Sequence, residues 1–68
     1  MNYQEAWTEW KRSRLEREKA LDTFLKAQEL AHNIGEAELI SSRDAAWERY
    51  LENRELEKIA LKEYLSIA

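Results

Sequence analysis

Apolar side chains recur at three- and four-residue intervals along the first half of the chain, the spacing that places them on one stripe of a helix. The stripe comprises Tyr3, Trp7, Trp10, Leu21, Phe24, Gln28 and Ala31. Asn2 is a suitable N-cap, and Glu5, three residues later, completes a capping box. Gly35 can adopt the left-handed conformation that ends a helix shortly after Asn33. The pattern therefore predicts a helix over residues 2–33.

The second half repeats this pattern after a short segment. Ser41 or Ser42 is a suitable N-cap, and Asp44 lies three residues after Ser41. The apolar stripe that follows comprises Ala46, Trp47, Tyr50, Leu51, Leu61, Tyr64, Leu65 and Ala68. We therefore expect a connector over residues 34–41 and a second helix over residues 42–67.

Two long helices joined by a short connector predict an all-α fold, an antiparallel two-helix hairpin formed by residues 1–68 as a single domain. One continuous helix is the alternative, because Gly35 costs only about 1 kcal/mol inside a helix. A lone core in a chain of this size supplies only roughly 3–5 kcal/mol. The apolar faces also exceed what one hairpin can bury, so we expect the hairpin to dimerise into a four-helix bundle.

Charged residues interrupt the middle of each apolar stripe. Arg14 and Arg17 lie within the first stripe, and Arg54, Glu57 and Lys58 lie within the second. In the hairpin, residues whose numbers sum to about 75 should face each other, which predicts an Arg17–Glu57 ion pair. Such a pair can fix the register of the helices. Alternatively, Arg14 and Arg17 remain open to a carboxylate or phosphate of a partner.

The two halves resemble each other at an offset of 40 residues. The identical pairs are Ala6/Ala46, Trp7/Trp47, Arg14/Arg54, Ala20/Ala60, Leu21/Leu61 and Leu25/Leu65, and the pairs Trp10/Tyr50 and Phe24/Tyr64 are aromatic in both halves. One interpretation is a duplicated helix. The other is that two amphipathic helices of similar composition match at several positions once an offset is chosen. The match is a hint of pseudo-symmetry, and the sequence leaves the two interpretations open.

Seven aromatic side chains, three of them Trp, are a large number for 68 residues. One hairpin has a single buried seam, so we expect several of them to stay on the surface. Trp, Tyr and Arg are enriched at binding hot spots. The predicted partner-binding residues are Trp7, Trp10, Arg14, Arg17, Trp47, Tyr50 and Arg54. The predicted function is a non-enzymatic protein-binding module, a small helical regulator, inhibitor or assembly subunit that binds a second copy of itself, a larger protein, or both.

Composition and charge weaken the other classes of function. The net charge of −3 disfavours nucleic acid, although a nucleic-acid-binding helical dimer is the alternative. Glu29 and His32 have the Glu-x-x-His spacing of ferritin-like di-metal bundles, the second alternative, but this short match is weak. No thiol or Gly-rich loop is present, so we predict no catalysis, no cofactor and no bound metal. The absence of Cys and of a long apolar run predicts a cytoplasmic protein without a membrane segment.

Overall fold

The computed structural model describes residues 2–67, which form two α-helices. Helix α1 spans Tyr3–Ile34 and helix α2 spans Ala37–Ile67, and the two pack against each other as an antiparallel hairpin. The hairpin is a rod with principal extents of 48 × 13 × 12 Å. The predicted all-α hairpin is confirmed. Met1 and Ala68, which the predicted domain of residues 1–68 includes, lie outside the described residues.

Both ends of α1 are capped at the predicted residues, although Glu5 accepts its hydrogen bond from the side-chain amide of Asn2 and not from the backbone N–H that a capping box uses. The side-chain oxygen of Asn2 accepts a hydrogen bond from the backbone N–H of Glu5 at 2.9 Å. The carboxylate of Glu5 accepts one in return from the Asn2 side-chain amide, at 3.2 Å. At the other end Gly35 has φ 73° and ψ 15°, and its N–H donates to the carbonyl of Ala31 at 2.9 Å. A residue with positive φ is needed here, and glycine adopts that conformation without steric cost.

The connector is shorter than the sequence predicts. It consists of Gly35 and Glu36, because α2 already begins at Ala37. The predicted connector over residues 34–41 and the predicted start of the second helix at residue 42 are therefore wrong.

The physical reason is that one left-handed glycine suffices to end α1. The carbonyl of Glu36 accepts hydrogen bonds from the amides of Leu39 and Ile40, both at 3.1 Å, and so starts α2 directly. Ser41 and Ser42 then lie within the helix as exposed residues. Serine costs only about 0.5 kcal/mol in a helix interior, so this pair does not stop α2 from beginning earlier.

The helices meet along an interhelical seam with the heptad spacing of a coiled coil. The seam comprises the buried and half-buried residues Ala6, Trp10, Ser13, Arg17, Ala20, Phe24, Ala27 and Ala31 of α1 and Leu39, Arg43, Ala46, Tyr50, Asn53, Glu57, Ala60 and Tyr64 of α2. The Trp10–Tyr64 and Arg17–Glu57 contacts both join residues whose numbers sum to 74. The register is thus within one residue of the predicted one.

Only small side chains are fully enclosed by this seam. Within residues 2–67 the buried hydrophobic residues are all alanines, namely Ala6, Ala20, Ala31 and Ala60. Small residues let the two backbones approach, and the aromatic side chains between them stay partly accessible because two helices leave both flanks open. The core is therefore thin, and large apolar groups are left at the surface.

Candidate functional site: an exposed tryptophan face

An apolar surface runs along one flank of the interhelical seam. Trp7 and Trp47 are each 41% exposed. Both occupy the helix position that follows a small seam residue, and Arg14 and Arg54 occupy the same position one heptad further along each helix. Leucines at this position and at the next one outward complete the surface. We name it the tryptophan face, formed by Trp7, Arg14, Leu21, Leu25, Trp47, Leu51, Arg54, Leu61 and Leu65.

The two flanks of the seam differ in chemistry. On the side of the tryptophan face, a shallow groove is lined by Phe24, Gln28, Arg43, Asp44 and Trp47. On the opposite flank, the groove is lined by Glu16, Lys19, Ala20, Thr23, Ala46, Arg49 and Asn53. The second groove is lined by charged and polar side chains and two alanines, whereas the lining of the first groove includes the aromatic rings of Phe24 and Trp47. Each helix therefore contributes to an aromatic flank and to a polar one.

The two exposed indole rings are held by neighbouring side chains. The ammonium group of Lys11 lies 4.3 Å from the ring centroid of Trp7, a cation–π geometry. The ring of Trp47 lies 4.9 Å from that of Phe24 and 5.3 Å from that of Tyr50, measured between centroids. Side chains that are already held in place lose less rotamer freedom when a partner covers them.

The two arginines of the tryptophan face are exposed and weakly engaged. The Nε of Arg14 lies 3.3 Å from a carboxylate oxygen of Glu18, one turn further along the helix. Its guanidinium carbon lies 6.0 Å from the ring centroid of Trp10. Arg54 forms no ion pair with any of residues 2–67. Both guanidinium groups can therefore donate a pair of hydrogen bonds to a partner's carboxylate without breaking a buried interaction.

The remaining predicted partner-binding residues, Trp10, Arg17 and Tyr50, lie in the interhelical seam. Trp10 stacks on Tyr64, with ring centroids 5.8 Å apart and an interplanar angle of 21°. The indole N–H of Trp10 is enclosed and finds no acceptor among residues 2–67. These side chains hold the two helices together, and the surface set is reduced to Trp7, Arg14, Trp47 and Arg54, which the structure brings to one flank.

The ion pair between Arg17 and Glu57 is confirmed. The Nε of Arg17 donates to a carboxylate oxygen of Glu57 across the seam. The two side chains are only 24% and 18% exposed, in contrast to the intrahelical pairs at the surface. This pair therefore holds the register of the hairpin and is not open to a partner's anion.

Two tyrosines join the ends of the helices. The hydroxyls of Tyr3 and Tyr64 lie 2.9 Å apart, and the ring centroids are 5.4 Å apart. The hydrogen bond from Tyr3 raises the pKa of Tyr64 above its ordinary value of 10.0, and desolvation adds to the effect. The phenol of Tyr64 is thus neutral in the folded protein near neutral pH. The tyrosine pair closes the open end of the hairpin.

The hairpin has a pseudo-two-fold axis. Positions 10–26 and positions 50–66 show the same burial class at every residue, which matches the offset of 40 residues in the sequence. Arg17 and Glu57 are themselves related by this offset and pair with each other, so the axis passes between them. The same rotation exchanges the two ends of the tryptophan face. The two Trp, the two Arg and four of the five Leu residues of the face therefore follow the same order from either end, whereas Leu51 has Lys11 as its counterpart.

The di-metal alternative depends on Glu29 and His32. Glu29 and His32 lie beside Arg43 in a groove near the connector end of the hairpin. A guanidinium group at that position opposes a cation electrostatically. Within residues 2–67, no group of three or more His, Asp or Glu residues is close enough to hold a metal ion. Neither helix, over those same residues, has a stretch long and apolar enough to cross a bilayer.

One residue of the tryptophan face was not predicted from the apolar pattern of the sequence. Leu25 lies outside the predicted stripe of the first helix, although it is 52% exposed and belongs to the face. Its signal was the match to Leu65 at the offset of 40 residues.

Comparisons with known proteins add no relative: no family model matches, and no curated protein and no solved structure matches significantly.

Proposed function

We propose that this protein is a non-enzymatic protein-binding module whose tryptophan face is covered by another helical surface. The observation that carries the proposal is the accessible area. A compact protein of 8.2 kDa exposes about 4,500 Å², whereas this hairpin exposes 5314 Å². The excess of about 800 Å² follows from the elongated shape of the hairpin and is similar in size to the area that each partner contributes to an interface of standard size.

The composition of the tryptophan face supports its role as the contact surface. It combines two Trp, two Arg and five Leu residues, and Trp and Arg are the residue types that carry most binding energy at interfaces. Covering the face also supplies what the thin alanine core lacks, namely burial of large apolar side chains. A regulator, an inhibitor or a subunit of an assembly is the class of protein that such a surface suits.

Self-association is the alternative way of covering the same face. Two copies related by a two-fold axis would form the four-helix bundle expected from the sequence. In both arrangements the function is binding, and the protein acts inside the cytoplasm, where a chain without Cys has no need of disulfides.

The test is a pair of matched double variants. Trp7→Ser with Trp47→Ser removes the aromatic anchors of the face. Leu15→Ser with Ile59→Ser removes two side chains of similar exposure, 54% and 53%, at helix positions that point away from the seam and the face. Far-UV circular dichroism should show that both variants remain helical hairpins.

Association is then measured by sedimentation from about 1 to 100 μM, for the protein alone and with purified binding partners. We expect the Trp variant to lose association at least about tenfold and the control variant to keep it. Equal behaviour of the two variants would refute the tryptophan face as the contact surface. Association that weakens steeply with salt and requires nucleic acid would favour the nucleic-acid alternative instead.

A further inference from the structure

We infer that the partner of the tryptophan face is an acidic amphipathic helix, with apolar residues near both ends and two carboxylates about two turns apart at its middle. This inference rests on the proposed protein-binding function and specifies the chemistry of the partner. The partner helix would lie lengthwise in the groove beside the seam and complete a three-helix bundle.

The first argument is the distribution of charge. The chain has fourteen acidic and eleven basic residues. The tryptophan face and its border hold four of the basic residues, Lys11, Arg14, Arg54 and Lys58, but only two acidic ones, Glu18 and Asp44. The rest of the chain is left with twelve acidic and seven basic residues. A positive face on a negative protein orients an acidic partner towards that face and repels it elsewhere.

The second argument is the placement of the arginines along the groove. The numbers of residues that face each other across the seam sum to 74, so Arg14 lies at the same height along the rod as residue 60, and Arg54 lies at the same height as residue 20. The two guanidinium groups are then separated along the axis by six residues, or about 9 Å. By the same register Trp7 and Trp47 are about 30 Å apart. A helix of roughly 20 residues spans that length and brings two carboxylates to the arginines.

The third argument favours the acidic helix over other coverings of the face. A second copy presents the same positive face, so two such faces repel at their centres. A lipid surface would immerse the middle of the face and with it both arginines, whereas surface-bound helices keep basic residues at the border. A carboxylate pair neutralises the arginines in place through charge-assisted hydrogen bonds. The apolar ends of the partner then cover the indole rings.

The pseudo-two-fold axis defines the best probe. Because the face has the order Trp, Arg, Arg, Trp from either end, a peptide with a palindromic pattern fits in both directions. The probe is a soluble peptide of about 21 residues, with Leu facing the groove near both ends and two central Glu residues about two turns apart. The matched control peptide has Lys at the two Glu positions. Both are titrated into the full chain by calorimetry and tryptophan fluorescence.

The wild-type protein should bind the Glu peptide at least about tenfold more tightly than the Lys peptide. The variant Arg14→Glu with Arg54→Glu should invert this preference, because the charges of face and peptide are then exchanged. The control variant Lys19→Glu with Lys62→Glu makes the same change of charge away from the face and should keep the wild-type preference. Circular dichroism confirms that each variant is folded.

Three results would overturn the inference. Equal affinity for both peptides, lost on Trp7→Ser with Trp47→Ser, would leave the protein-binding function intact and reject the acidic partner. Binding of neither peptide would reject the acidic helix, while sedimentation with the Trp variant still decides on the face itself. Stronger binding to vesicles containing anionic lipid than to the Glu peptide would assign the face to a membrane surface.

Discussion

The ion pair at the centre of the hairpin allows a quantitative test of what holds the two helices in register. Breaking a buried pair by removing one partner costs about 3–5 kcal/mol, and an exposed pair contributes about 0.2–1 kcal/mol. Arg17 and Glu57 are 24% and 18% exposed and lie between these limits. For Glu57→Gln we therefore expect a loss of about 2 kcal/mol in the free energy of unfolding. That is close to half of the roughly 3–5 kcal/mol available to so small a core.

The loss is measured by urea and thermal unfolding, followed by far-UV circular dichroism at one fixed protein concentration. For a chain of this size, a loss of about 2 kcal/mol lowers Tm by about 8–16 °C. The control is Glu9→Gln, which removes the carboxylate from the exposed intrahelical pair with Arg12. The control should change the free energy by less than about 0.5 kcal/mol.

The pseudo-two-fold axis adds a rescue experiment. Exchanging the residues, Arg17→Glu with Glu57→Arg, places the same pair across the same layer in the opposite sense. We expect the exchanged protein to recover the wild-type stability to within about 0.5 kcal/mol. If Glu57→Gln and Glu9→Gln have the same effect, the pair does not determine the register. If the exchanged protein is no more stable than Glu57→Gln, positions 17 and 57 are not energetically equivalent, although the pseudo-two-fold axis relates them.

Three further predictions concern the ends of the helices. Gly35→Ala should cost about 1 kcal/mol, measured by urea unfolding, solely from the positive φ, because a Cβ there meets no atom within 4 Å; Gly35→Asn should cost less. Asn2→Ala removes the cap of α1 and should cost about 1 kcal/mol in the same assay. Tyr3→Phe should lower the pKa of Tyr64 towards 10.0, seen in the ultraviolet absorbance of tyrosinate. The pKa of Tyr64 is higher in the folded than in the unfolded protein, so the hydrogen bond contributes stability below the unfolded pKa, and this contribution is lost as pH rises through the folded pKa. In Tyr3→Phe, this loss of stability at high pH should be absent.

Features set by local or ionic rules could be predicted from the sequence. The cap at Asn2 and the stop at Gly35 depend on a few neighbouring residues, and both formed as predicted. The Arg17–Glu57 pair followed from the length of the hairpin and from charges that had no other place on an apolar stripe. These predictions needed only the helical period and the position of one glycine.

The composition of the seam could not be predicted as easily. The sequence pattern gave weight to the largest apolar residues and put Trp7 and Trp47 on the central stripes. In the hairpin, alanines occupy that place, because two backbones can approach closely only over small side chains. The indole rings are then displaced to the flank. The start of α2 was also predicted wrongly. A serine indicates a helix start only if the preceding residues are not helical, and here residues 37–40 already belong to α2.

The hydrogen bond between Tyr3 and Tyr64 has a consequence for the order of the chain. It shows that the beginning of α1 and the end of α2 lie side by side, at the opposite end of the rod from Gly35. With the halves related by a two-fold rotation, a circularly permuted chain could begin at residue 37, pass through a short glycine-containing linker after residue 67, and end at residue 34. Such a permutant would form the same layers, because the connector only keeps one helix at a high effective concentration near the other. The order of the two helices along the chain is therefore not essential to the fold, whereas the pairing of the helices is.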